Sequence, residues 1–315
     1  MTSASAAGKA ILFGEHAVVY GRAALAVPLS GLRATVEITD LAPGEGIWIE
    51  ADDIGVCVHL ADQAVPEAAV PLQLTTRNAL RHLGLVPDRV AWKLAVHSDI
   101  PVARGLGSGT AVATALVRAI AAHCGRAIAV AEVSALVFET EVLLHGTPSG
   151  VDNTVVAYEA PLCFRQGRAP EFVHVGAPLT LLVADTGIIA RTRDAVGAVR
   201  AAWQAGPARY EALFDGIETI VVAARAALAA GEGATLGCLM SENQRLLAEL
   251  GVSSPELDAL VAAACAAGAW GAKLSGGGRG GFMLALVAPE VQGRVHAALA
   301  EAGARQVLAT VIAAG

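Results

Sequence analysis

Two periodicities organise the chain. In VAWKLAV (90–96), Val90, Trp92, Leu94 and Val96 fall on one face, the two-residue repeat of a half-buried strand. LRATVEITD (32–40) repeats that pattern, and AILFG after Lys9 reads as a further strand. Alternation of this kind belongs to sheets with one covered face, so a mainly antiparallel sheet is expected. Helical spacing covers about 71–83, 109–123 and 130–144. After GRAPEFVHVGAP the pattern restarts with a strand, LTLLVAD (179–185). A long helical stretch follows from about 192 to 268, broken near Gly206-Pro207, Gly231 and Gly251–Pro255. A strand (282–288), a helix (290–302) and a strand (305–313) close the chain. The restart puts a domain boundary near 176, giving domains 1–176 and 177–315.

Composition narrows the classes. Two domains suit 315 residues, and a 55% hydrophobic content supplies a large core with little room for disorder. The net charge of −7, without a Lys/Arg cluster, argues against a nucleic-acid partner. The longest apolar run, 259–272, is shorter than the ~18 residues a membrane span needs, so no membrane partner and a cytoplasmic setting are expected. Cys57, Cys124, Cys163, Cys238 and Cys265 are odd in number and far apart, which suggests neither a zinc site nor a disulfide framework. Ordinary buried thiols are expected. A homodimer is compatible with the sequence, which fixes no oligomeric state.

Four segments carry the chemistry. PVARGLGSGTAVATA (101–115) has glycines at 105, 107 and 109 and runs directly into a small-residue helix. It fails as a P-loop, which ends in Gly-Lys-Ser/Thr, and as a dinucleotide fingerprint, because position 110 is Thr. A strand, a glycine loop and a helix N-terminus still offer free N–H groups and a positive dipole end to an anion. The bland alternative is a tight turn capped by Ser108 or Thr110. KLSGGGRGGFMLAL (273–286) is a second glycine loop beside a strand, so the two could clamp one extended anion or be plain turns. GKAILFGEHAVVYG (8–21) sets Lys9 before an apolar strand and Glu15 and His16 after it; Lys9 could equally be a surface residue. FETEVLLHGTPSGVDNTVVAY (138–158) carries Glu139 and Glu141, about 200° apart on a helix, so only one faces a site. Asp152 follows, as a functional carboxylate or as a cap. Lysine, serine, two acids and two glycine loops make a coherent set for phosphoryl transfer.

The order GKAILFGEHAVVYG, PVARGLGSGTAVATA, HGTPSGVDNTV, AKLSGGGRGG resembles the motifs of the GHMP small-molecule kinases, over residues 8–281. The first and third are most similar to the mevalonate kinases, as is ADTGIIARTRDAVGAVR (184–200). The resemblance implies an α+β, two-domain fold, with a ribosomal protein S5 domain 2-like N-terminal domain and a ferredoxin-like C-terminal domain, ATP and substrate meeting between them. It implies that Gly105, Leu106, Gly107, Ser108, Gly109, Thr110 and Ala111 wrap the ATP phosphates, and that Ser108 and Glu141 hold Mg²⁺. By the same resemblance Asp152 accepts the proton of the mevalonate C5 hydroxyl, and Lys9 stabilises developing charge. His16, Asp152, Thr192 and Gly277 are implied substrate contacts. Three departures bear on the acceptor: Gly109 where Ser is usual, Arg279 in place of a glycine, and Phe282 where relatives are often small. Phosphorylation of phosphomevalonate, of mevalonate at another hydroxyl or of a sugar is the nearest alternative. A non-catalytic ligand sensor on the same fold is the next.

Overall fold

The computed structural model describes residues 1–101, 105–145, 148–190 and 192–315. Residues 102–104 of the first glycine motif, 146–147 of the HGTPSG turn and Arg191 lie outside the described residues, as do the side chains of Leu144 and His145. The chain packs as two compact units, interleaved in sequence. One comprises Met1–Gly8, Leu32–Val102 and Gly107–Glu159; the other Lys9–Gly31, Ala103–Leu106 and Ala160–Gly315.

The first unit begins with the start of β1 (Thr2–Phe13) and holds the second half of β2 (Ala24–Asp40), then β3 (Ile47–Ala51) and β4 (Val56–His59). Helix α1 (Val70–His82), strand β5 (Trp92–Ser98) and helices α2 (Ser108–His123), α3 (Val130–His145) and α4 (Val151–Tyr158) follow. β2 and β5 run antiparallel with Val36 opposite Val96 and Ile38 opposite Leu94, all buried, so the expected alternation places one face in the core. β3 joins β5 in parallel and pairs antiparallel with β4. The segment 41–70, punctuated by Pro and Gly, thus contains a strand pair. Its apolar positions Ile47, Ile49, Val56 and Val58 alternate over runs too short to stand out from the turns. Helices α1 to α4 pack on one another, and α2 is lined by small residues such as Ala111, Ala115 and Ala119 that permit close approach.

The second unit contains β6 (Leu162–Phe164), β7 (Glu171–Phe172), β8 (Leu179–Asp185), helices α5 (Thr192–Ala205), α6 (Pro207–Ala230), α7 (Gly233–Glu249) and α8 (Pro255–Ala266), β9 (Gly271–Leu274), β10 (Phe282–Val287), α9 (Gln292–Glu301) and β11 (Gln306–Ile312). Its main sheet is antiparallel in the order β11-β8-β10-β9. First and third strands thus lie in the middle, with crossover helices after the first and third, the arrangement of a ferredoxin-like domain. All six residues of β10 are buried. Helices α7, α8 and α9 pack against this sheet. Pro207 and Pro255 open α6 and α8, where a missing N–H costs nothing, and Gly231 ends α6 at φ +73°. Helix α8 stops at Ala266, just short of the expected 268, and ALVAAACAAGAWGA keeps one apolar composition across a helix, a turn and the start of a strand.

The cysteines correct an expectation. Cys57, Cys238 and Cys265 are exposed, and Cys124 and Cys163 are half-buried. Cys57 occupies an outward position of β4, between buried Val56 and Val58, so strand alternation turns it to solvent. All five are free thiols. Among the described residues no helix is long and apolar enough to cross a membrane.

Candidate active site

In the first unit the glycine loop enters α2 as anticipated. Gly107, at φ +73°, is the N-cap residue and Ser108 the first helical residue. Among the described residues no side chain caps the helix, so its first N–H groups are candidate donors to a ligand. The alternative of a Ser108 or Thr110 cap is not realised. Ser108 is buried, and Ala111 N–H donates to Gly107 O at 2.8 Å, the first bond of the helix. Gly109 is exposed, and a Cβ there would meet nothing within 4 Å, so its departure from the usual serine reflects no steric need. The two glutamates of α3 separate as their angular spacing requires. Glu139 pairs on the surface with Arg81 at 3.4 Å, whereas Glu141 accepts a short hydrogen bond of 2.5 Å from the buried Thr110 hydroxyl. That bond holds the Glu141 carboxylate at the first turn of α2. Asp152 lies half-buried in the first turn of α4, behind Gly150 at φ +88°.

The second unit gathers the other sequence-derived residues. Lys9 is 3% exposed, and its ammonium donates to Gly105 O at 3.2 Å; its N–H donates to Leu106 O at 2.9 Å. A buried cation on the carbonyl of the glycine loop excludes the surface-lysine alternative. Gly105 (φ +91°) and Gly276 (φ +75°) face each other. A Cβ on Gly276 would lie 3.4 Å from Gly105 Cα, so the two glycine segments meet in van der Waals contact. The second glycine segment is the β9–β10 turn, and a Cβ on Gly277 would stand 3.0 Å from Cα and 3.1 Å from Oγ1 of Thr192, at the head of α5. His16 Nε2 is 3.1 Å from Gly277 O. His16, Gly277 and Thr192 are therefore one cluster.

His16 is held unusually. Its φ of +61° and ψ of −50°, with Ala17 N–H donating to Glu15 O at 2.7 Å, make it the centre of a γ-turn of the rare, strained hand. Such strain costs about 1–3 kcal/mol and persists only where surroundings over-determine it. Burial lowers the pKa of the ring to about 4, and the charges of Arg279 and Lys273 press the same way. The imidazole is thus neutral near pH 7. A carbonyl can only accept, so Nε2 carries the proton and donates to Gly277 O, leaving Nδ1 as an acceptor. Nδ1 is buried and has no partner among the described residues.

Arg279 sits at φ +60° on the glycine turn, its N–H on Val252 O at 2.7 Å and its Nε on Gly251 O at 3.3 Å. It forms no ion pair among the described residues, and it ties the turn to the α7–α8 connection.

The N-terminal GHMP kinase domain model matches residues 73–160, and the C-terminal GHMP kinase model matches residues 224–305. The mevalonate kinase of Pyrococcus furiosus is 35% identical over 95% of this chain and 93% of its own length. The chain belongs to the GHMP kinase family. A second relative, the mevalonate kinase of Aeropyrum pernix, is 33% identical over 90% of the chain and 87% of its own length. Among solved structures, the L. major mevalonate kinase in complex with R-mevalonate superposes with a TM-score of 0.86 at 28% identity, covering 100% of this chain and 97% of that one. The GHMP kinase fold is the two-domain architecture the sequence implied.

One buried group of this GHMP kinase escaped the sequence reading. Lys273, fully buried, donates to Glu15 Oε1 and, at 2.6 Å, to Leu274 O. Burial pushes the Glu15 carboxyl up and the Lys273 ammonium down, while each charge counteracts the shift of the other. A lysine before a glycine turn reads as a surface residue. The signal that could have found it is its place inside the apolar frame GAKL…FMLAL, where a strand position flanked by buried residues cannot reach water.

Proposed function

We propose that this GHMP kinase transfers the γ-phosphoryl group of ATP to the C5 hydroxyl of mevalonate, releasing 5-phosphomevalonate and ADP. The buried Lys9 ammonium on Gly105 O carries the phosphoryl-transfer reading, since it sets a desolvated cation at the glycine loop. The relatives named mevalonate kinase supply the acceptor.

The roles follow from chemistry. Residues 105–111 offer backbone N–H groups and a helix N-terminus to the ATP phosphates. Asp152 accepts the proton of the attacking hydroxyl. Lys9 stabilises charge that develops on the transferred group. His16 Nδ1 is a buried acceptor fit for a substrate hydroxyl, and Thr192 and Gly277 line the same cluster. Mg²⁺, when bound, neutralises phosphate charge. A hydroxyl from Ser108 and a carboxylate from Glu141 fit it, because Mg²⁺ prefers oxygen donors and takes few from protein when phosphates complete its shell. Residues 1–176 serve in this reading as the ATP-binding domain and 177–315 as its C-terminal partner domain, although the compact units are interleaved and place 9–31 and 160–176 with the C-terminal part. A small polar acid and ATP as substrates suit the cytoplasm.

Initial rates of ADP release with Mg·ATP against mevalonate, phosphomevalonate, galactose and homoserine test the reading. Turnover on mevalonate well above the other three is expected. Turnover on another acceptor with none on mevalonate would replace it.

A further inference from the structure

We propose that Glu15 and Lys273 form a positioning pair that holds His16 in its γ-turn and against the 275–281 turn, presenting the imidazole to the acceptor substrate. The inference rests on the proposed function and assigns a role to a buried pair that the reaction itself does not use.

Three observations converge. First, the pair is completely removed from water, with side-chain exposures of 0% for Lys273 and 1% for Glu15. A buried ion pair is a poor stabilising device, since well-packed apolar residues of the same size do as well or better. Net stability alone therefore does not account for the charges. Second, the pair joins two segments 258 residues apart, and both segments lead directly into residues of the substrate cluster. Glu15 immediately precedes His16. Lys273 is the penultimate residue of β9, just before Leu274, whose carbonyl it also binds, and the glycine turn with Gly277 follows. Third, the residue between these anchors is strained. His16 occupies a backbone conformation a β-carbon disfavours, and two contacts pin it from the side of β9: the Glu15–Lys273 contact before it and its own Nε2 bond to Gly277 O. Gly14 holds the other side, with φ +103° and a hypothetical Cβ 2.5 Å from Ala24 Cα. Without the pair, the γ-turn can relax and carry the ring away from Gly277. Glu15 Oε2 and His16 Nδ1 are both buried and without partners among the described residues, so the cluster keeps acceptor capacity that the protein does not itself consume.

The decisive comparison is between single and double variants. Lys273→Met and Glu15→Gln each strand the other charge or polar group and should lower Tm. Glu15→Leu combined with Lys273→Met removes both charges and should return Tm toward wild type. If the pair positions His16, the double variant nonetheless shows a mevalonate KM raised about tenfold or more with the ATP KM within about twofold, because a small misplacement of a binding group is costly while phosphate binding is untouched. The ¹⁵N resonances of the His16 ring, compared between wild type and the double variant, should shift as the Nε2–H bond to Gly277 is lost. Recovery of mevalonate KM together with Tm, and unchanged ring resonances, would make the pair purely structural and overturn the proposal. Should wild type fail to phosphorylate mevalonate, the acceptor assignment falls; the pair is then decided by the ring resonances alone, shifted resonances supporting it and unchanged ones overturning it.

Discussion

Adding one methyl group at Gly277 separates space from backbone strain as the reason for a glycine. Gly277 is outside the left-handed region, so alanine at 277 carries no conformational penalty of its own. Its Cβ would, however, lie 3.0, 3.1 and 3.2 Å from Cα, Oγ1 and Cγ2 of Thr192. Ordinary contact begins near 3.4 Å, so a few tenths of an ångström must be found. Thr192 is exposed and its side chain can turn, but its Cα belongs to the first turn of α5 and cannot. Gly277 is tied in turn by its carbonyl to His16. Overpacking of this kind costs ~1–3 kcal/mol, and the lower half of that range applies where one side is mobile. At 1.4 kcal/mol per tenfold, Gly277→Ala should lower kcat/KM for mevalonate about tenfold, with the ATP KM within about twofold. The adjacent Gly278→Ala is the control, because there the backbone is at φ +74° and the Cβ would lie 2.0 Å from Val252 O, the acceptor of Arg279 N–H. That change should cost ~2–4 kcal/mol of stability, visible as a fall in Tm of several degrees. Steady-state kinetics by coupled ADP release and a thermal melt of each variant are the assays. Unchanged mevalonate kinetics in Gly277→Ala would show that the His16–Gly277–Thr192 cluster does not meet the acceptor.

Four other outcomes are expected. Asp152→Asn should reduce kcat ~10²-fold or more with Tm near wild type, as for other acid–base residues, and near-normal turnover would remove Asp152 from the reaction. Ser108→Ala should raise the Mg²⁺ and ATP requirement more than the mevalonate KM, and an unaltered Mg²⁺ dependence would count against metal ligation. Arg279→Gly should hold Tm within about 2 °C, because relief of roughly 1 kcal/mol of strain at φ +60° offsets added chain freedom, whereas Arg279→Val should melt earlier; equal melting points would mean that position is unstrained. Because the His16 pKa falls from 6.5 unfolded to about 4 folded, the unfolded chain binds the extra proton between those values. The His16 contribution to stability should thus be full above pH 6.5 and decline by about 3 kcal/mol as pH drops toward 4, and His16→Gln should remove that component of the slope in pH-dependent denaturant melts.

Much of the architecture was legible because its signals are local. Helices α1, α2 and α3 begin and end within about two residues of their periodic patterns, and β8 coincides with LTLLVAD. β3 and β4 were missed because four-to-five-residue strands between turns offer too few repeats. β9 showed only as an apolar, strand-like flank of the glycine loop without bounds, because alanine and glycine suit helix, turn and strand equally in that setting. Within the site, the angular argument separated Glu141 from Glu139, and the glycine density of two loops signalled their mutual approach at Gly105 and Gly276. The Glu15–Lys273 pair stayed hidden since its two members are brought together by tertiary pairing alone. The γ-turn at His16 was equally unreadable: histidine gives no hint of a positive φ, and only the anchors around it impose one.

The proposed reaction transfers phosphate to one particular oxygen, the hydroxyl on C5 of mevalonate. Wild-type protein incubated with Mg·ATP and mevalonate labelled with ¹³C at C5, followed by ³¹P and ¹³C NMR, observes that bond directly. A new phosphomonoester signal coupled to C5, in step with ADP formation, is the predicted result. Phosphate appearing at another carbon, or ADP formed with no mevalonate ester, would contradict it.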